Sequence, residues 1–175
     1  MSVNVSTAQL FDAGLIDGVE AALEHSGLEP QSLTLEITES GLMEDKELAV
    51  SSLKKLQQLG VSVAIDDFGT GYSTLAYLST LPIDILKIDK VFIDGVTRGP
   101  EDSAIASAVG KLANALGLIL VAEGIEFEDQ VEALRGMEFE RGQGYYFSKP
   151  LPASEVRLLP GIAPTTPESL QGGVL

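Results

Sequence analysis

Val61-Ser62-Val63-Ala64-Ile65-Asp66-Asp67-Phe68-Gly69-Thr70-Gly71-Tyr72 is the stretch on which the fold turns. From Val61 to Ile65 it is almost wholly apolar and β-branched, as suits a strand covered on both faces within a parallel sheet. It then stops on two adjacent carboxylates. Consecutive residues of a regular strand point to opposite faces, so Asp66 and Asp67 reach one site only where the strand ends and the backbone turns. Gly69 and Gly71 supply that turn, although a Gly-x-Gly alone reads equally well as an ordinary βα connection.

The same pattern recurs on either side. Strand-like segments fall at 3–6, 33–38, 61–66, 85–88, 118–123 and around 142–147. Between them Phe11, Leu15, Val19 and Leu23 repeat at helical spacing, as do Ala49, Leu53 and Leu56, then Ile105, Val109, Leu112 and Leu116. Gly27, Gly60, Gly117 and Gly136 follow these helices, where a left-handed residue commonly ends a helix. Strands alternating with helices predict an α/β fold with a parallel sheet. A closed (β/α)₈ barrel needs eight such units and about 250 residues. The expectation is therefore a TIM-type (β/α) barrel that is incomplete, with about six of eight βα units. The shortfall is expected at the start, because Met1 leads almost directly into strand-like Val3-Asn4-Val5. Residues 1–159 form the barrel domain, and 160–175, rich in Pro, Gly, Ser and Thr, read as a disordered tail.

Composition narrows the chemistry. There is no Cys, so disulfides, thiolate metal sites and a cysteine nucleophile are excluded, and a cytoplasmic setting is expected. The single His25 lies at a helix end beside Gly27, where a cation meets the negative end of the helix dipole. A formal charge of −15 argues against duplex nucleic acid as a partner, since phosphate contacts need clustered Lys and Arg. Carboxylates still serve phosphates through a bound cation. No membrane segment is expected, the longest apolar run being 116–122.

In α/β barrels the active site lies at the C-terminal ends of the strands. Asn4, Glu36, Asp66 with Asp67, Lys87, Glu123 and Gln143 fall at or just past six successive strand ends. Each alone has an ordinary structural reading: Asn4 as a helix cap, Glu36 as the partner of Lys87, Asp66 as a turn residue. Together, four carboxylates in one low-dielectric mouth repel strongly unless positive charge sits among them, and one Lys falls short. Hard oxygen ligands suit Mg²⁺ or Mn²⁺. Two ions sharing Asp66 as a bridge would follow the known logic of phosphodiester cleavage, with Lys87 orienting water or neutralising phosphorane charge and Glu123 as ligand or general base.

These segments resemble the EAL-domain family of bacterial cyclic di-GMP phosphodiesterases. The resemblance runs through Val3-Asn4-Val5-Ser6, Leu35-Glu36-Ile37-Thr38-Glu39-Ser40, Asp66-Asp67-Phe68-Gly69-Thr70-Gly71-Tyr72-Ser73, Leu86-Lys87-Ile88-Asp89, Ala122-Glu123-Gly124-Ile125-Glu126 and Gln143-Gly144-Tyr145. It implies that Asn4, Glu36, Asp66 and Asp67 ligate metal with Glu123 beside them, that Lys87 lies next to the catalytic water, and that Gln143 completes the outer edge. It implies further that Glu39 anchors the loop carrying Phe68, Gly69, Thr70 and Gly71, coupling the metal site to dimerisation. The reaction implied is hydrolysis of cyclic di-GMP to the linear dinucleotide.

The family takes its name from a Glu-Ala-Leu sequence on an early barrel strand, and none of the six strand segments carries it. Its glutamate and a nearby substrate-binding arginine belong to the two units expected to be missing. The chain alone is therefore expected to bind metal poorly and turn over little, unless an upstream segment, a homodimer or another partner chain completes the barrel. A catalytically inactive cyclic di-GMP receptor or protein-interaction module is the alternative. An enolase-like barrel, with carboxylates holding Mg²⁺ and a strand-end Lys as base, is a third.

Overall fold

The computed structural model describes residues 1–69 and 78–156. Six strands form one parallel sheet in strict chain order: β1 (Ser2–Asn4), β2 (Thr34–Thr38), β3 (Ser62–Phe68), β4 (Ile85–Ile88), β5 (Ile119–Ala122) and β6 (Arg141–Gly142). Parallel neighbours need long crossovers, and helices Leu15–Ser26, Lys46–Gln58, Pro100–Ala115 and Glu128–Arg135 lie in these connections. Among the described residues the sheet is an open, TIM-type half-barrel, because β1 and β6 each pair with one neighbour only. Among the described residues no helix is long and apolar enough to cross a membrane.

The alternation of side chains along each strand separates two faces. Leu35, Ile37, Val63, Ile65, Leu86, Ile88, Leu120 and Ala122 fall on one set of register positions and are all buried. They pack with Leu53 and Leu56, Ala106, Val109 and Ala113, and Val131 and Leu134 from the helices. Each large aliphatic residue so covered contributes roughly 1.5–3 kcal/mol of transfer free energy. Thr34, Glu36, Ser62, Ala64, Ile85, Lys87, Ile119 and Val121 occupy the alternate positions and line the concave face. That face is smaller and more polar, and it bounds a cavity of about 580 Å³. The apolar runs are thus not buried alike on both sides: one face meets helices, the other the barrel interior.

Several expected boundaries move. Phe11 ends a one-turn helix, Thr7–Leu10, capped by Ser6 and Gln9, and lies outside Leu15–Ser26. Ile105 is 54% exposed, and the buried stripe of its helix is Ala106, Val109, Gly110 and Ala113. Small residues let that helix approach the sheet closely, so the stripe is offset from the larger residues that carry the visible periodicity. Gly27, Gly60 and Gly117 are left-handed as expected, but Gly136 is right-handed at φ −76°, and Glu138 at φ 67° makes the reversal instead. The sixth strand is only two residues long. Beyond it the chain turns, with Tyr146 N–H donating to the Ile125 carbonyl at 3.0 Å and Phe147 N–H to that of Gly144 at 3.1 Å. The tail expected at 160–175 lies outside the described residues.

Candidate active site

Register brings the polar strand ends to one rim. Asn4 pairs with Glu36 and Thr38 with Asp66, while Glu123 N–H donates to the Ile88 carbonyl at 3.0 Å and Gln143 N–H to the Ala122 carbonyl at 2.8 Å. At their centre Lys87 is 5% exposed. Its Nζ lies 2.8 Å from Glu36 Oε2, 2.9 Å from Asp66 Oδ1 and 2.7 Å from Glu123 Oε1. The structural reading of Glu36 as a partner of Lys87 is therefore met, but two further carboxylates share the same ammonium.

The aspartate pair converges by a different device from the one expected. β3 does not end at Asp66 but runs to Phe68. Ile65 pairs with Leu86 and Phe68 with Ile88, so β3 spends one residue more than β4 between these points. This is a bulge, which bends the strand and re-aims its side chains. Asp67 takes it up in the left-handed region at φ 54°, unusual for a residue other than Gly. Oxygen atoms of Asp66, Asp67 and Glu123 consequently lie within 4.8 Å of one another.

Electrostatics follow from this crowding. Burial alone would lower the Lys87 pKa, but hydrogen bonds to Glu123, Glu36 and Asp66 outweigh it and hold the ammonium charged. Burial pushes the Glu123 carboxyl up to about 7; Lys87 pulls against this and Asp66 adds to it. The Asp67 carboxyl is raised by burial, then by Asp66 and Asp89, with Lys87 opposing. Four carboxylates and one ammonium leave excess negative charge, and the donor set is all oxygen. Both properties fit a hard divalent cation held by Asp66, Asp67 and Glu123.

The other expected residues divide. Glu39 is buried and its Oε2 accepts from Gly69 N–H at 2.8 Å, bracing the backbone beside buried Phe68. Gln143 Nε2 donates to Glu123 Oε1. Asn4 stands level with Glu36 on the free edge of the sheet and is exposed. Thr70 and Gly71 lie outside the described residues. The one Glu-Ala-Leu in the chain, Glu132-Ala133-Leu134, belongs to helix Glu128–Arg135 with Leu134 in the core, so it is no strand-end motif. Sequence reasoning left Asp89 unassigned although it follows Lys87 by two residues; its charge acts on Asp67. Beside the rim, a cleft of about 540 Å³ is lined by Lys90, Gln143, Tyr145 and Lys149, with Lys149 Nζ 5.8 Å from the centre of the Tyr145 ring.

Residues 1–150 match the EAL domain. The cyclic di-GMP phosphodiesterase NbdA of Pseudomonas aeruginosa is 46% identical over 152 residues, which are 87% of this chain and 19% of NbdA. The structure of the MucR phosphodiesterase of P. aeruginosa in complex with c-di-GMP superposes with a TM-score of 0.83 at 44% identity, covering 89% of this chain and 63% of that one. Klebsiella pneumoniae BlrP1, solved with manganese and cyclic di-GMP, gives a TM-score of 0.80 at 29% identity, covering 85% of this chain and 38% of that one. The chain spans about a fifth of the length of the curated relatives it matches.

Proposed function

The chain belongs to the EAL domain family, and on that footing we propose that its rim serves divalent-cation-dependent hydrolysis of cyclic di-GMP to the linear dinucleotide. The observation that carries this is the convergence of Asp66, Asp67 and Glu123 in front of a fully charged Lys87. Asn4, Glu36, Asp66, Asp67 and Glu123 are the residues to hold one or two Mg²⁺ or Mn²⁺ ions. Such ions, when bound, lower the pKa of water and neutralise phosphate charge.

The protein's own groups supply the rest. Lys87 fixes the carboxylates of Glu36, Asp66 and Glu123 and places a positive charge where a phosphodiester gains negative charge. Glu123, 2.7 Å from Lys87 Nζ and within 4.8 Å of the Asp66 and Asp67 oxygens, serves either as a cation ligand or as the general base that takes the proton of the attacking water. Gln143 holds the Glu123 oxygen from the other side. The adjoining cleft offers the Tyr145 ring for a base and the Lys149 ammonium for a phosphate. In the reaction water adds across one P–O bond, which breaks, and the departing sugar oxygen takes up a proton.

The free edges favour a second reading. Val3 on β1 is 42% exposed, and among the described residues neither β1 nor β6 has an outer neighbour. Two further parallel βα units, from an upstream segment or a partner chain, would cover both edges. Without them the rim acts as a receptor that binds the dinucleotide and does not cleave it. Chromatography of cyclic di-GMP incubated with Mn²⁺ or Mg²⁺ separates the readings, using the chain alone and co-expressed with the complementary barrel units of a homologous EAL domain. Conversion abolished by Asp66→Asn supports the hydrolase, and binding without conversion in both preparations supports the receptor. Cation-dependent conversion that survives Asp66→Asn overturns the site.

A further inference from the structure

After β4 the chain makes a single helical turn, Lys90–Ile93, started by Asp89, whose Oδ1 accepts from Val91 N–H at 2.8 Å. This turn touches the backbone of both flanking strand-end loops. On one side Phe92 lies against Gly69, two residues beyond Asp67. A Cβ at Gly69 would fall 2.5 Å from Cε2 and 2.8 Å from Cζ of that ring, and Gly69 sits at φ +99°. On the other side the stem of Lys90 lies against Gly124, the residue after Glu123. A Cβ there would fall 2.6–2.8 Å from Cβ, Cγ and Cδ of Lys90, and Gly124 sits at φ +71°. The Lys90 ammonium closes the contact, 2.6 Å from Glu126 Oε1 and 3.3 Å from Asp94 Oδ1.

At both positions a Cβ would collide with a side chain of this one turn, so the absence of a side chain is what lets the turn sit against each loop. The Gly69 N–H is also held by Glu39 Oε2. From this juxtaposition we infer that Lys90 and Phe92 are positioning residues, which set the distance between the Asp66–Asp67 pair and Glu123 and so the width of the cation site. Each acts through the backbone of a ligand-bearing loop, and the helical turn fixes the two loops relative to each other. The inference rests on the reading of Asp66, Asp67 and Glu123 as a cation site.

The test is Mn²⁺ binding to the 175-residue chain, read by calorimetry and by the Mn²⁺ paramagnetic resonance spectrum, without substrate. Phe92→Ala and Lys90→Ala are each expected to weaken Mn²⁺ about tenfold, the lower end of what loss of a ligand-orienting partner costs. Phe92→Leu and Lys90→Arg should restore affinity to within about threefold of the unaltered chain, since they keep the packing contact. Val91→Ala, on the same turn but 62% exposed, should change nothing. Lys90 is half-exposed, so Lys90→Ala carries the test even where Phe92→Ala fails to fold. If Asp66→Asn abolishes Mn²⁺ binding while Lys90→Ala and Phe92→Ala bind as the unaltered chain does, the cation site stands and the positioning role falls. If the unaltered chain takes up no Mn²⁺ either alone or co-expressed with the complementary barrel units of a homologous EAL domain, the reading beneath it falls and takes this inference with it.

Discussion

Replacing Lys87 with Met removes the single cation that Glu36, Asp66 and Glu123 share. Methionine keeps most of the apolar stem, so β4 stays packed and the loss is chiefly electrostatic. Three contacts of 2.7–2.9 Å disappear, and the four side chains concerned are 7–15% exposed, so water repairs little of the damage. Removing one partner of a buried ion pair costs about 3–5 kcal/mol. The orphaned Glu123 moderates this by taking up a proton, which makes the deficit depend on pH. Lys87 is what pulls against burial at Glu123, so without it that carboxyl is raised further. A raised carboxyl pKa contributes stability that is complete below the unfolded value and lost as pH rises through the folded value. The deficit relative to the unaltered chain is thus smallest near about pH 5 and largest near about pH 8. There it should reach about 3–5 kcal/mol, a large share of the roughly 5–15 kcal/mol that holds a domain together. In thermal terms this is a drop of about 6–20 °C. Urea titrations followed by circular dichroism, at both pH values and without divalent cations, measure it, with equal m-values securing the comparison. A deficit under about 1 kcal/mol at the higher pH, or one that fails to shrink toward the lower, would refute Lys87 as the shared counter-charge.

Two other substitutions probe neighbouring terms. In the unaltered chain the Glu123 carboxyl is raised from 4.5 to about 7, so its share of stability is present below the lower value and lost as pH rises through the upper. Glu123→Gln should flatten the cation-free stability profile across that window, by on the order of 1–3 kcal/mol, in denaturant titrations at several pH values. Glu39→Ala strips the acceptor from Gly69 N–H and should cost about 1.5–3 kcal/mol, with faster deuterium exchange of the Gly69 amide as the local signature.

Much of the fold was legible because the parallel sheet writes itself as short apolar segments ending in polar residues. The 85–88 strand is where the pattern put it, and Lys87, Glu36, Asp66 and Glu123 meet as their strand ends foretold. What escaped has physical reasons. The bulge at Asp66–Asp67 is a matter of pairing with β4, which neither strand states alone. The buried stripe of Pro100–Ala115 is built from Ala and Gly, whose contribution is closeness rather than hydrophobic bulk, and so Ile105 misled. β6 shrank because the aromatic residues after Gly144 follow a turn bonded to the Ile125 carbonyl instead of a ladder. The support of Gly69 and Gly124 by Phe92 and Lys90 is a three-dimensional contact with no spacing to announce it.

The order of the sheet, each strand beside its neighbour in sequence and β1 unpaired with β6, makes the described residues a row with two ends. In a row of this kind stability is close to a sum over adjacent pairs, and opening starts from the ends inward. Glu36, Asp66 and Lys87 lie on interior strands and Glu123 just past one, while Asn4 lies on β1 and Gln143 just past β6, the two terminal strands. The rim therefore combines a long-lived middle with short-lived flanks. Any ligand that must touch both flanks binds only during the fraction of time in which both are formed, and its apparent affinity is reduced by that fraction.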